Sequence, residues 1–260
     1  MDILTKIVID KRKEIDLKKS MIPVSQLESS VLFNRETISL ANALRLSKTG
    51  IIAEHKRRSP SKDTINQNTN VGQVAKGYQK AGVCGMSVLT DIKYFGGSLE
   101  DLLLARACVS MPLLRKEFII SEYQIVEAKA YGADVILLIA AILTREEIKS
   151  YSELAKSLGL DVLLEVHNEE ELQKSMMPSL DMLGVNNRNL KTFEVNLETS
   201  KILSTLIPDD FVKVSESGIS SITAIKDLKA YGYQGFLIGE NFMKTDNPGE
   251  SATAFINQLQ

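Results

Sequence analysis

The sequence is poor in the residues that bind metals or form disulfides, with two cysteines, two histidines and no tryptophan in 260 residues. So few cysteines and histidines exclude a disulfide framework and a structural zinc site. Basic charge is not in excess either, because 31 lysines and arginines face 33 aspartates and glutamates. That balance argues against a nucleic-acid partner. We therefore expect a protein whose large hydrophobic core needs no disulfide bonds or structural metal ions, and which holds no metal.

Long apolar runs are also missing. No stretch reaches the ~18–20 apolar residues that are needed to cross a bilayer. Residues 1–20 carry charges within their apolar stretch and lack a small-residue cleavage site, unlike a secretory signal. These absences predict a soluble, cytoplasmic protein with no membrane partner, and we expect it to be a monomer.

Eight short runs rich in Ile, Leu and Val alternate with amphipathic segments. Each run stays apolar until its end, as parallel strands do when helices cover them. The predicted strands are residues 51–56, 85–90, 112–117, 134–140, 161–166, 181–186, 211–216 and 235–240. Among the intervening helices, Thr144 followed by Glu147 has the pattern of a capping box.

Eight strand–helix cycles in about 210 residues match the number and length of a (β/α)₈, or TIM, barrel. A dinucleotide-binding sheet is disfavoured because no GxGxxG follows the first strand. Helical patterns at 3–15 and 38–47 precede the strands. We predict an α/β protein with one domain, 1–260, in which a helical extension at 1–48 packs on a barrel at 49–260.

Polar residues end six of the eight predicted strands, where barrel enzymes build their active sites. Glu54 and Lys56 are two residues apart, so they share one face of their strand. If that face is inward, both side chains meet Lys116 and Glu165 at the barrel mouth. Lysines and glutamates in one cavity shift each other's pKa values and become proton donors and acceptors. A set of salt bridges that only seals the barrel is the alternative.

Glycines begin the loops after the last two predicted strands. Gly218 follows strand seven and Gly239 follows strand eight. Barrels commonly bind phosphate between these two loops through backbone N–H groups. Ser59 adds a hydroxyl, and Arg57 and Arg58 add positive charge, although a solvated basic loop is the alternative for them. These residues predict a small phosphorylated substrate.

Seven motifs resemble, in order, those of the indole-3-glycerol-phosphate synthase family. They are EHKRRSPSK (54–62), VLTDIKYFGGSLEDL (88–102), LLRKEFIISEYQI (113–125), LLEVH (163–167), LGVNNRNL (183–190), SESGI (215–219) and LIGENFM (237–243). The resemblance covers nearly the whole chain. It implies a (β/α)₈ barrel of tryptophan biosynthesis, a lyase that converts 1-(2-carboxyphenylamino)-1-deoxyribulose 5-phosphate to indole-3-glycerol phosphate, CO₂ and water without a metal or organic cofactor.

The resemblance also implies roles for the residues at the strand ends. Catalysis is expected of Lys116, Glu165, Lys56, Glu54 and Asn186; substrate binding of Arg188, Glu216, Ser217 and Phe118, with Leu137 or its neighbours beside the aromatic ring; and phosphate binding of Ser59, Gly218, Gly239 and the backbone of Glu240.

Within that set, Lys116 is the hypothetical acid at the ketone oxygen. Lys56 would pair with the substrate carboxylate and serve as the acid in dehydration, and Glu165 would act in the later step. Glu54 would orient Lys56, and Asn186 would position Glu54 or the substrate hydroxyls. The division of roles between the two lysines and Glu165 stays open from sequence.

Two positions depart from the family pattern, and two functions other than the synthase activity stay open. Asp63 stands where the family usually has glycine, and Glu240 where a small hydroxyl residue is also common. One rival is another phosphosugar barrel enzyme, such as an aldolase that forms a Schiff base on Lys116. The other is a non-catalytic barrel that binds a phosphorylated ligand.

Three further features have simple structural interpretations. His167 is expected to orient the loop after its strand, and His55 to face the helices. The basic run 11–13 is expected to form a solvated helix face.

Overall fold

The computed structural model describes residues 2–190 and 192–259. Within these residues, eight parallel strands each pair with the next along the chain, and the eighth pairs with the first. The strands are β1 (Ile51–His55), β2 (Gly85–Leu89), β3 (Leu113–Lys116), β4 (Val135–Ile139), β5 (Asp161–Val166), β6 (Met182–Asn186), β7 (Val212–Glu216) and β8 (Gly235–Ile238). The predicted (β/α)₈ barrel is confirmed.

Helices precede the barrel, connect its strands and follow the last strand. They are α1 (Ile3–Met21), α2 (Val24–Glu28), α3 (Leu40–Leu46), α4 (Val71–Ala81), α5 (Ile92–Phe95), α6 (Leu99–Cys108), α7 (Glu122–Ala130), α8 (Arg145–Ser157), α9 (Glu169–Ser175), α10 (Glu198–Ser204), α11 (Ile222–Ala230), α12 (Glu240–Met243) and α13 (Pro248–Asn257). The capping box of Thr144 and Glu147 is confirmed at the start of α8. No helix in the described ranges is long and apolar enough to cross a membrane.

Side chains alternate across the barrel wall, as the period of two requires. On β1, Ile52 belongs to the core inside the barrel. Its neighbours Ile51 and Ala53 belong to the core between the strands and the outer helices. Glu54 therefore points inward and His55 outward, as expected from their spacing.

The N-terminal extension contacts both ends of the barrel. Ile3, Leu4 and Ile7 of α1 line the cavity at the mouth. At the other end, Leu40 and Leu44 of α3 pack with the apolar residues of the barrel interior. The extension thus completes the core at one end and the cavity wall at the other.

The interpretation of the basic run on α1 was wrong for Lys11. Its side chain is only 2% exposed, and Nζ lies 2.8 Å from Asp91 Oδ2 and 3.0 Å from Glu117 Oε1. Lys11 lies one helical turn from Ile7 and from Ile15, which are also buried. A run of basic residues did not reveal this position, because the two carboxylates come from distant parts of the chain.

Candidate active site

A cavity of about 350 Å³ opens at the carboxyl ends of the strands. The site residues implied by the family resemblance all lie in its wall: Glu54, Lys56, Ser59, Lys116, Phe118, Leu137, Glu165, Asn186, Arg188, Glu216, Ser217, Gly218, Gly239 and Glu240. Barrel closure brings them together, because parallel strands place their carboxyl ends at the same edge. The positive charge expected from Arg57 and Arg58 is directed elsewhere, because Arg57 pairs with Asp101 and Arg58 donates to the carbonyls of Ile92 and Lys93.

Lys116, at the end of β3, contacts two carboxylates. Its Nζ donates a hydrogen bond to Glu216 Oε2 and another, at 3.3 Å, to Glu165 Oε2. Burial disfavours the ammonium, but attraction by Glu216, Glu165 and Glu54 outweighs burial and raises the pKa of Lys116 above its usual value. Lys116 is therefore a cation at neutral pH and a poor nucleophile.

Glu216 has the opposite behaviour at the end of β7. Burial raises the pKa of Glu216 to about 7, with repulsion from Glu165 adding to it and attraction by Lys116 opposing it. Glu216 Oε1 is buried and has no hydrogen-bond partner within residues 2–190 and 192–259. Gly184 on β6 leaves the space for this oxygen, since a Cβ there would lie 2.5 Å from it.

Glu54 and Lys56 form the predicted pair at the end of β1, with Lys56 Nζ 2.7 Å from Glu54 Oε1. Burial would raise the pKa of Glu54, but Lys56 and Lys116 outweigh burial and hold it below its usual range. Gly239 adjoins the same carboxylate, and a Cβ there would lie 2.5 Å from Glu54 Oε1. The φ of Gly239 is −115°, so close packing and not backbone conformation requires glycine here.

The contact made by Asn186 differs from the expectation. Asn186 Nδ2 donates to Glu165 Oε1 at 3.1 Å, and Asn186 Oδ1 accepts from the Arg188 N–H at 3.0 Å. Asn186 therefore orients Glu165, whereas Glu54 or the substrate had been expected. Burial would raise the pKa of Glu165, but Lys116 and His167 outweigh it and the pKa falls below its usual range. Glu165 is ionised at neutral pH.

The predicted phosphate residues come from the loops after β1, β7 and β8. Lys62 in the first of these loops lies 2.7 Å, Nζ to Oε1, from the carboxylate of Glu240. The same loop is tightened at Ser59, whose N–H donates to the Lys62 carbonyl at 2.9 Å. The side chain of Glu240 is thus directed to a cation of the first loop.

The loop after β7 has an unusual backbone. Ser217 and Gly218 both lie in the left-handed region, at φ 67° and 77°. A left-handed conformation costs an ordinary residue about 1–2 kcal/mol. The buried amide of Asn187 opposes that cost by donating to the carbonyls of Glu216, at 3.0 Å, and Ser217, at 3.2 Å.

Comparison with known proteins decides between the functions that share this architecture. Residues 4–255 match the family model described as indole-3-glycerol phosphate synthase. A curated protein of that name from Bacteroides thetaiotaomicron is 48% identical over 259 residues, which are 100% of this chain and 99% of the relative. Another, from Chromobacterium violaceum, is 42% identical and aligns over 96% of each chain. The chain belongs to the indole-3-glycerol phosphate synthase family.

Solved structures agree on the barrel. A crystal structure of 3-hexulose-6-phosphate synthase from Salmonella typhimurium superposes with a TM-score of 0.64 over 81% of this chain and 100% of that one. At 13% identity this likeness shows the fold alone. Family membership confirms the resemblance and the decarboxylating lyase activity of tryptophan biosynthesis. That the protein is a cytoplasmic monomer stays a prediction.

Part of the wall of this synthase-family site was not evident from the amino-acid sequence. Ile3, Leu4 and Ile7 of α1 contribute apolar surface to the cavity that Phe118 and Leu137 also line. Their amphipathic pattern was visible, but nothing in it indicated which end of the barrel the helix covers. His167, expected only to orient a loop, also lies beside Glu165.

No group of three His, Cys, Asp or Glu side chains is arranged to hold a metal ion in the part of the chain that the structure describes. The carboxylates of Glu165 and Glu216 meet the ammonium of Lys116, and Glu54 meets Lys56. The groups at the centre of this family site are thus lysine–glutamate pairs.

Proposed function

We propose that this chain forms the indole ring of indole-3-glycerol phosphate with Lys116 as the first proton donor. The observation that carries the proposal is the ammonium of Lys116 between Glu165 and Glu216 in the wall of the cavity. A cationic donor stabilises the negative charge that develops on a ketone oxygen under attack. The substrate is 1-(2-carboxyphenylamino)-1-deoxyribulose 5-phosphate.

The cavity has separate surfaces for the two ends of this substrate. Phe118 and Leu137 would face the aromatic ring, with the apolar residues of α1 beside them. Ser59, Gly218 and Gly239 would surround the phosphate. An apolar wall and a set of N–H and O–H donors suit the two ends of the molecule.

Cationic side chains in the wall of the cavity suit the substrate carboxylate. Lys56, oriented by Glu54, would pair with it, and Arg188 would add a second positive charge. Glu216 and Ser217 would contact the hydroxyl groups of the ribulose chain. Such contacts hold the reacting carbons in one geometry. Binding of the substrate then supplies part of the entropy cost that would otherwise belong to the activation barrier.

Ring closure and decarboxylation come first. The ring carbon that bears the carboxylate attacks the ketone carbon, and Lys116 transfers a proton to the ketone oxygen, which becomes a hydroxyl. The bond to the carboxylate then breaks, CO₂ leaves, and its electron pair restores the aromatic ring. Lys116 recovers its proton from solvent before the next turnover.

Dehydration completes the indole. Lys56 protonates the hydroxyl, which leaves as water, and the nitrogen lone pair stabilises the resulting cation. Glu165 removes the proton from the adjacent ring carbon, and the new double bond forms. Two protons enter and one leaves in each turnover, so one solvent proton replaces the lost carboxylate.

The charge of Lys116 distinguishes this proposal from a Schiff-base aldolase. An ammonium held by two carboxylates cannot attack a carbonyl until it loses its proton. Borohydride should therefore trap no substrate adduct on Lys116. A trapped adduct would favour the aldolase.

Product formation tests the proposal directly. Wild-type protein and the carboxyphenylamino substrate should yield indole fluorescence and CO₂. Lys116→Ala should lower turnover at saturating substrate about 10²–10⁴-fold, the usual contribution of a positioned acid. Lys149→Ala, at an exposed surface lysine, is the matched control. Near-normal turnover by Lys116→Ala would overturn the ring-closure role.

A further inference from the structure

His167 lies between two carboxylates just beyond the end of β5. Its Nδ1 is 3.1 Å from Glu171 Oε2, and its Nε2 is 3.4 Å from Glu165 Oε1. The side chains of all three residues are largely buried, with exposed fractions of 11% for His167, 5% for Glu165 and 16% for Glu171. The imidazole therefore connects the active-site carboxylate to a second carboxylate on α9.

The outer carboxylate is itself fixed. Glu171 Oε2 accepts the backbone N–H of His167 at 2.8 Å, and Glu171 Oε1 accepts Asn168 Nδ2 at 3.0 Å. Asn168 in turn caps α9 by accepting the Glu171 N–H at 2.9 Å. The start of α9 thus holds the carboxylate that faces Nδ1.

We propose that His167 is a positioning residue for the catalytic reaction, which holds Glu165 ionised and oriented while Glu171 holds His167. The proposal rests on the proposed role of Glu165 as the base that removes the ring proton. It assigns to His167 a function that its expected role in loop orientation does not include.

The charges around Glu165 show why another cation matters. Lys116 on β3 contacts it directly, while Glu54 on β1 and Glu216 on β7 add negative charge to the same cavity. Asn186 on β6 supplies a hydrogen bond without charge. An imidazolium at His167 therefore offsets part of the negative charge that would otherwise favour protonation of Glu165.

The charged state of His167 follows from its two partners. Burial lowers the pKa of His167, but Glu165 and Glu171 outweigh burial and raise it to about 10. Both ring nitrogens then carry protons. Nδ1 is hydrogen-bonded to Glu171, whereas Nε2 makes no hydrogen bond within the described residues and faces Glu165 Oε1 at 3.4 Å as an ion pair. One oxygen of Glu165 thus accepts from Asn186 and lies beside the imidazolium of His167, and the other oxygen accepts from Lys116.

The chain has only two histidines, so imidazole resonances in an NMR titration can be assigned by one substitution. His167 should remain protonated through neutral pH and titrate near 10. Glu171→Gln should lower the titration midpoint by about one pH unit or more, because it removes one of the two charges. Titration of His167 near its ordinary value in the wild type would overturn the proposal.

Kinetics give the second readout. His167→Gln should lower kcat about tenfold or more, with a smaller change in KM, and should shift the acidic limb of the kcat profile to higher pH. Glu171→Gln should shift the same limb in the same direction by less. Unchanged kcat and an unchanged profile in His167→Gln would contradict the proposal, and Glu171→Gln keeps it testable if that variant does not fold.

Glu170→Gln is the matched control, because Glu170 is an exposed glutamate in the same turn of α9. It should leave both the NMR titration and the pH profile unchanged. Glu165→Gln separates the two proposals. Retained activity in Glu165→Gln would refute the proposed base, whereas lost activity there with normal activity in His167→Gln would refute only the role of His167.

Discussion

Two clusters of buried charge lie on opposite sides of β3, because consecutive residues of a strand point to opposite faces. Lys116 points into the cavity, whereas Arg115 points to the helices. Arg115 is 1% exposed and donates to Glu127 Oε2 at 2.6 Å, to the Gln124 carbonyl at 2.7 Å and to Thr90 Oγ1 at 3.2 Å.

The two clusters differ in how completely their polar atoms are bonded. In the outer cluster, all three guanidinium nitrogens of Arg115 have acceptors, and Glu117 accepts from Thr90 and pairs with Lys11. In the inner cluster, Glu216 keeps a buried oxygen without a partner among the described residues. Fully bonded charges hold a structure together, while incompletely bonded ones are available to a substrate at some cost in stability.

The largest expected effect is the loss of the outer cluster. Arg115→Met should lower the free energy of unfolding by up to about 3–5 kcal/mol, because the buried carboxylate of Glu127 would lose its closest cation and keep only Lys18, 3.3 Å away. Urea denaturation measures this loss. Activity per folded molecule should be preserved, in contrast with Lys116→Ala on the other side of the same strand. Equal stability of Arg115→Met and wild type would refute a stabilising role for the outer cluster.

His55 makes the stability of the outer side of the barrel wall depend on pH. Burial, with repulsion from Arg57, lowers the pKa of His55 to about 4. In the unfolded chain this histidine binds a proton near pH 6.5. The contribution of neutral His55 to the free energy of unfolding is therefore complete above pH 6.5 and is lost as the pH falls to 4. The loss should approach about 3 kcal/mol at pH 4.

The measurement compares the free energies of unfolding of wild type and His55→Gln between pH 7 and 4. The wild type should lose more stability over that interval than the variant, which cannot titrate. Parallel loss in the two proteins would show that other groups, and not His55, cause acid unfolding. The NMR titration should also find His55 neutral where His167 is charged.

Glu216 should show the opposite pH dependence on the inner side. Its folded pKa of about 7 lies above the usual 4.5, so its contribution to stability is present below pH 4.5 and is lost as pH rises to 7. Glu216→Gln should therefore gain about 1–3 kcal/mol relative to wild type between pH 4.5 and 7.5, while turnover falls. A constant difference in unfolding free energy over that range would refute the pH dependence.

The smallest effect concerns the strained loop beside the inner cluster. Ser217→Gly should change the free energy of unfolding by up to about 1 kcal/mol in the stabilising direction, since glycine accepts the left-handed backbone but loses more entropy on folding. KM should rise because the hydroxyl is absent from the cavity. A loss of stability would mean that side-chain contacts of Ser217 outweigh its backbone strain.

Much of the site was predictable because its signal is local. A strand that stays apolar and then ends in a polar residue marks its own position, as at Lys116 and Glu165. The alternation of side chains along β1 likewise predicted that Glu54 points inward and His55 outward, because it depends only on neighbouring residues. Contacts between strands were harder to predict. Asn186 was expected to position Glu54 or the substrate hydroxyls, although it binds Glu165.

The burial of Lys11 shows the same limit. Its neighbours in sequence are basic, but its partners are Asp91 and Glu117, far along the chain. Helical periodicity places Lys11 on the face of Ile7, yet it does not say which surface that face meets.

The eight strands, the polar residues at their ends and the family motifs follow from the order of the amino acids, because strand period, turn chemistry and motif order are properties of neighbouring residues. Which charges meet, which of them are fully hydrogen-bonded and in which protonation state they rest follow only from the folded arrangement. Those properties depend on distances between strands and on exclusion of water, so His55 and His167 differ although their isolated side chains are the same.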